Sequence, residues 1–237
     1  MCTVIFMPLK TGPAFVSLRD EQPVRLPKPP RVNEESHARI LMPIDIKGGT
    51  WAGVNDSGII VVLLNGGFVK HIPNPPYRKS RGLIARELLA AKNPLATWAT
   101  IELYEIEPFS LVVLSSDKRL FHLVWDGNEK HLMELDVKQG HIFSSATLYP
   151  KDVSDKRAQA FQKWIDAEPA PSEKTIMHLF DSLVDAENGF FINRASGIRT
   201  ISFSYISHAI EGYTYSYTDF LTNVQSTIEM SARNSVM

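Results

Sequence analysis

The sequence predicts an α+β protein (α/β in the broad sense), a four-layer α/β/β/α sandwich of two mainly antiparallel sheets. Three observations point there. The predicted elements run strands, helices, strands, helices, strands, without internal repeat or strict βαβ alternation. Strands are separated by tight-turn residues such as Asn55-Asp56-Ser57-Gly58 and Asp126-Gly127-Asn128, which favours antiparallel neighbours. The helical stretches carry apolar residues on one face, as outer layers do.

The elements follow in order. Thr3, Val4 and Ile5 are β-branched and Phe6 closes their run, so residues 2–6 read as a strand. Lys10-Thr11-Gly12-Pro13 is turn chemistry, and 14–18 returns as the second strand of a hairpin. Residues 22–39 hold Pro23, Pro27, Pro29 and Pro30 and read as a loop forming a rim or lid. Apolar alternation resumes over 40–46. Gly48-Gly49-Thr50-Trp51-Ala52-Gly53-Val54 and the apolar run 59–64 then form a hairpin whose second strand is buried on both faces.

After a proline-rich loop over 71–79, Ser80 caps a helix over 80–91 with Leu83, Ile84, Leu88 and Leu89 in a stripe. Arg81 falls in its first turn, where a cation opposes the helix dipole, so it calls for an anion or carboxylate partner. Pro94 opens a second helical stretch. Strands are expected at 109–114, 120–125, 131–137 and 141–148, and helices at 154–166 and 173–185. Strands at 199–207 and 213–217 follow, and the polar tail from about 223 is expected to be loose. All of this fits one domain over 1–237.

Composition narrows the function classes. The chain has 237 residues, 44% hydrophobic and 22% charged, with a formal net charge of −1. That balance gives no electrostatic case for nucleic acid. No stretch approaches the ~20 apolar residues of a membrane span. One cysteine excludes an intrachain disulfide framework and a cysteine-built zinc site, and it fits a cytoplasmic, reducing setting. The histidines show no metal-ligand spacing, and no phosphate-cradling or dinucleotide string occurs, so no metal and no cofactor is expected. Oligomeric state is left open.

That one cysteine is Cys2, at the mouth of the first strand. On position alone it reads as a small apolar residue at a strand start. If Met1 is removed, a free α-amine and a thiol share one residue, with ordinary pKa values near ~8 and ~8.5. The amine can then take the thiol's proton, which is nucleophile activation by the chain's own terminus. The hairpin returns Arg19 and Asp20 toward Cys2. There an arginine would favour the thiolate and an aspartate could hold the amine; a solvated charge cluster is the plainer reading. Asn65, at the end of the 59–64 run, is either an amide donor or a turn former before Gly66-Gly67.

Met-Cys-Thr-Val-Ile-Phe at the start, Leu18-Arg19-Asp20-Glu21, Gly48-Gly49-Thr50-Trp51-Ala52-Gly53 and Leu64-Asn65 together resemble the NRDE family, also called the transport and Golgi organisation protein family. Lys79-Ser80-Arg81-Gly82 and Gly197-Ile198-Arg199-Thr200 resemble its later signatures. The resemblance spans nearly the whole chain. It extends to the cysteine-type N-terminal-nucleophile hydrolases, such as penicillin V acylase and bile salt hydrolase. It implies Cys2 as nucleophile, Arg19 and Asp20 as its charged neighbours, Asn65 as oxyanion donor and Arg199 as a further tuning residue. Two positions depart from the pattern. Leu18 stands where the family motif has asparagine, and Ser145 stands where a second active-site asparagine is expected.

Two functions are therefore expected. One is a cysteine amidohydrolase acting on a small-molecule, non-peptide amide. The other is a non-catalytic carrier for an apolar metabolite, such as lipid or haem, using the same cleft. Trp51 and Phe68 are expected to line that cleft, with Arg81 and Ser145 contributing to ligand binding.

Overall fold

The computed structural model describes residues 2–24, 27–35 and 37–233. The side chain of Cys2 and the expected removal of Met1 lie outside the described residues. In chain order the elements are β1 (Cys2–Leu9), β2 (Gly12–Glu21), β3 (Lys28–Glu34), β4 (Arg39–Ile44), β5 (Ala52–Asn55), β6 (Ile60–Asn65), α1 (Arg81–Ala90) and α2 (Pro94–Thr100). They continue with β7 (Phe109–Leu114), β8 (Leu120–Trp125), β9 (Lys130–Leu135), β10 (His141–Ser144), α3 (Lys151–Ala167), α4 (Ile176–Asp181), β11 (Arg199–Ala209), β12 (Gly212–Asp219) and β13 (Val224–Ser231).

The strands form two sheets. The first has the order β10-β1-β2-β11-β12-β13, and the second runs β3 to β9 in chain order. Neighbouring strands are antiparallel throughout. Because side chains alternate along a strand, β1 and β2 each serve two layers. Val4, Phe6 and Phe15 join one buried cluster with the second sheet and α1. Ile5, Met7, Val16 and Leu18 face the other way, onto Phe161 of α3 and Ile176, Leu179 and Phe180 of α4. The layers are therefore helix, sheet, sheet, helix, as expected.

Helix α1 sits on the second sheet because Ile84, Ala85, Leu88 and Leu89 fall on one buried stripe. Close approach is permitted by glycine: a Cβ on Gly53 of β5 would lie 2.9 Å from a Leu89 methyl. Helix α2 starts at Pro94, and the Asn93 carboxamide oxygen accepts from the N–H groups of Leu95 and Ala96.

Three expectations are corrected. The loop expected over 22–39 contains β3. Its Pro29 and Pro30 are tolerated because β3 is an edge strand with a register shift between Lys28 and Arg31. The tail expected to be loose from about 223 contains β13, paired along its length with β12. Its burial alternates only partly, with Met230 buried, as an edge strand allows. The helix expected over 173–185 is the shorter α4, since residues 173–175 form turns.

Candidate active site

A cleft of about 520 Å³ opens where the ends of β2 and β6 meet the amino end of α1. Arg19 and Glu21 come from β2, and Leu63 and Asn65 from β6. The loop before β5 adds Asp45, Lys47, Thr50 and Trp51. The segment leading into α1 adds Tyr77, Arg78, Lys79, Ser80 and Arg81, and Glu107 closes the rim.

The hairpin register puts Cys2 directly opposite Arg19. Side chains alternate along a strand, so Arg19 shares the face of Ser17 and Phe15, which belongs to the cluster with the second sheet. Arg19 is 5% exposed, and its guanidinium lies 4.3 Å from the centre of the Trp51 ring. Stacking on an indole face holds a guanidinium without neutralising it.

Two signature strings meet beside this pair. A Cβ on Gly49 would lie 2.7 Å from the carbonyl carbon of Gly82, and one on Gly82 would lie 3.0 Å from Thr50 O. The Thr50 N–H donates to Gly82 O at 3.1 Å. Glycine at both positions lets the Trp51 loop and the start of α1 come together as one wall of the cleft. Asp45 shapes the same loop, its carboxylate accepting from the N–H groups of Lys47 and Gly49.

Asn65 ends β6 half-buried on the cleft. The fully buried Ser145 donates from Oγ to Asn65 O at 2.8 Å. Gly66 has φ +87°, and a Cβ there would meet Thr147 Cγ2 at 2.9 Å. The Asn65-Gly66 corner is thus a close contact with residues 145–147, and Ser145 supports the Asn65 backbone from behind.

The other expected site residues divide. Arg81 lines the cleft and finds a carboxylate, as its first-turn position required: Nη2 is 2.9 Å from Glu107 Oε2. Phe68 does not line it. It is 53% exposed and packs edge-on against His131 at 4.9 Å. Arg199 is exposed at the start of β11, opposite Glu21 in register, and is absent from the cleft wall.

Asp20 is also absent from it, because a residue next to Arg19 on a strand must face the other sheet surface. It is wholly buried there, accepting from Tyr149 Oη at 2.8 Å and Thr200 Oγ1 at 2.7 Å. Burial pushes its pKa up, against those two hydrogen bonds and the nearby charge of Arg157. Arg157, fully buried on α3, donates to Thr3 Oγ1 at 2.5 Å and to the carbonyls of Asn188 and Gly189. Its guanidinium stacks 3.7 Å from the Tyr149 ring centre. Burial drives the Tyr149 pKa up and that of Arg157 down.

Sequence reasoning missed Arg157, Tyr149, Lys47, Arg78 and Glu107. Only Glu107 left a signal, as the partner Arg81 demanded. Among the described residues, no group of three or more metal-ligating side chains is placed to hold a metal ion. Nor is any helix of those residues long and apolar enough to cross a membrane.

The fold is that of an N-terminal-nucleophile hydrolase-like protein. Penicillin V acylase from Agrobacterium tumefaciens superposes with a TM-score of 0.64 at 12% identity, covering 97% of this chain and 86% of its own. Two variants of conjugated bile acid hydrolase from Clostridium perfringens, one cysteine-to-alanine and one arginine-to-leucine, superpose with TM-scores of 0.62 and 0.63. Each is 10% identical and covers 97% of this chain and 92% of its own. At such identity these likenesses establish the fold alone. The chain itself belongs to the Transport and Golgi organisation 2 family, whose sequence profile matches residues 1–234. No curated protein sequence matches it.

Proposed function

We propose that the protein is a cysteine amidohydrolase for a small-molecule, non-peptide amide, with Cys2 as nucleophile once Met1 is removed. The observation that carries this reading is the register pairing of Cys2 with Arg19 beside a cleft that also receives Asn65. The Cys2 thiol attacks the amide carbonyl carbon, and its proton passes to the α-amine. Asn65 and backbone N–H groups hold the oxyanion. Collapse expels the amine, which takes the proton from the α-ammonium and leaves a thioester. Water, deprotonated by the same amine, then hydrolyses the thioester and restores the thiol. Arg19 favours the thiolate throughout.

Asp20 has a different role from the one first expected. Its carboxylate belongs to the network behind β1, so it supports the strand that carries Cys2 and does not meet substrate. The acylase and hydrolase among the structural neighbours support amide chemistry. A working thiolate also needs a reducing compartment, so a cytoplasmic location is part of the proposal.

The carrier reading fits less well. The cleft wall holds Arg19, Lys47, Arg78, Lys79 and Arg81 with Glu21, Asp45 and Glu107, which is a poor lining for an apolar metabolite.

The test is intact mass of protein from its native host, followed by exposure to a panel of chromogenic anilides. Loss of Met1, and an acyl adduct on Cys2 that Cys2→Ala abolishes, are expected. Quantitative retention of Met1 would end the self-activating route.

A further inference from the structure

Resting on the amidohydrolase reading, we infer that the substrate is an anionic amide, with an oxyanion on the part that is not cleaved. A carboxylate and a phosphate present the same chemistry here. The oxyanion is bound between Lys47, Arg78 and the amino end of α1.

Charge is the first ground. The basic side chains of the cleft outnumber the acidic ones by five to three. Internal pairing then removes some of each. Arg81 is bound to Glu107, and Lys79 forms a close ion pair with Glu87, outside the cleft lining. Arg19 is stacked on Trp51.

Of the other cations, Lys47 and Arg78 form no ion pair with a carboxylate among the described residues. Arg78 donates to the carbonyls of Glu102 at 2.7 Å and Tyr104 at 3.2 Å. Those bonds orient the guanidinium but leave its charge uncompensated. Lys47 makes no ion pair among the described residues, and it lines the cleft from the turn that the Asp45 carboxylate holds through the Lys47 backbone N–H. A wall on which basic side chains outnumber acidic ones, with Lys47 and Arg78 outside any described ion pair, attracts and holds an anion that fits a cavity of about 520 Å³.

The start of α1 adds to this. The helix has ten residues, and Ser80 to Leu83 line the cleft. Ser80 makes no side-chain cap, its Oγ has no partner among the described residues, and no acidic residue lies in the first turn. The positive end of the helix dipole is thus left for a group from outside. Trp51, which lines the same cleft and is 4% exposed, has an indole N–H without a partner among the described residues. Such a buried donor marks a place that is incomplete without a ligand.

The test uses three matched probes: an N-acylglycine, its neutral N-acylglycinamide, and the N-acylaminoethyl phosphate. Binding is measured by calorimetry on Cys2→Ala protein, so the result does not depend on turnover. At least one anionic probe should bind about tenfold tighter than the neutral one, with affinity falling as salt is raised. The better of the two anions identifies the source. Lys47→Gln and Arg78→Gln should each reduce the preference several-fold. Both residues are exposed, so a melting curve like that of the parent protein is expected.

Equal affinity for charged and neutral probes, no binding of any probe, or a preference that survives the double substitution would overturn the inference. Wild-type protein that hydrolyses charged and neutral probes equally would refute it and leave the amidohydrolase reading intact. Wild-type protein that binds the anions selectively but cleaves none would refute that reading and leave the anion site standing.

Discussion

The guanidinium of Arg19 lies 4.3 Å from the centre of the Trp51 ring, so the cation opposite Cys2 is held by a side chain that cannot cancel its charge. A fixed cation beside a thiol lowers the thiol pKa by about one unit or more. Arg19→Ala should therefore slow alkylation of Cys2 by iodoacetamide at pH 7 about tenfold, and Arg19→Lys should slow it less. Peptide mass spectrometry against time reads the rate. Equal rates in Arg19→Ala and wild type would remove Arg19 from the site.

The contact between Gly49 and Gly82 gives a second prediction. Alanine at Gly49 would bring a methyl within 2.7 Å of helix backbone, and backbone cannot turn aside as a side chain can. Gly49→Ala should cost roughly 1–3 kcal/mol in urea unfolding. It should also weaken binding in the cleft, because α1 moves off its wall. Gly48→Ala is the control for space, since a Cβ at Gly48 meets nothing within 4 Å. Its φ of +80° adds strain but no collision.

The network behind β1 gives a third. Arg157→Met would leave Asp20 buried without its nearby cation and Thr3 without its donor, at a cost of roughly 3–5 kcal/mol. Asp20→Asn in the same chain should recover part of that loss, because the uncompensated charge is gone. Denaturant midpoints of the two single variants and the double variant test the coupling, and strictly additive losses would refute it.

The fourth concerns acid. His122 on β8 packs against Phe143 of β10, with ring centres 4.7 Å apart, so it bridges the two sheets. Its Nε2 has no partner, and burial lowers its pKa to about 4. The unfolded chain takes up this proton near pH ~6.5 and the folded chain only near 4. The folded state thus loses stability as pH falls from about 6.5 through 4, by roughly 3 kcal/mol in all. His122→Phe should lack this part of the acid loss, which urea midpoints at pH 7 and pH 4.5 would reveal.

Much of this architecture was legible in the residues. Apolar runs such as Ile60–Leu64 and the stripe of α1 have periods that determine what they pack against. The pairing of Cys2 with Arg19 followed from a hairpin, and the place of Asn65 beside Arg19 on the cleft followed from a strand end. The absence of Asp20 from the cleft lining has a readable cause, because adjacent strand residues cannot share a face. The missed strands are edges: β3 hides behind Pro29 and Pro30, and β13 behind Gln225, Ser226 and Thr227. Lys47, Arg78 and Glu107 sit on connecting segments, where no periodicity marks which side chains meet. Phe68 was expected in the cleft, but its ring packs against His131. Arg157 was hidden because a lone arginine on an amphipathic helix ordinarily faces water.

The two sheets also differ in how far apart their strands lie along the chain. The second sheet is a meander in chain order, so all of it has been synthesised once residue 135 has left the ribosome. The first joins residues 2–21 to 141–144 and then to 199–231, and non-local pairings of this kind form late. On a nascent chain the amino-terminal strand therefore has no β10 beside it and no β11 behind its hairpin. The proposed trimming of the first residue would have that interval in which to act, before the strand is enclosed on both sides. On the proposal that Met1 is removed, the last third of the chain sets the time available for maturation. Nascent chains halted after β9 should protect residues 28–135 from protease while residues 2–21 are still cut.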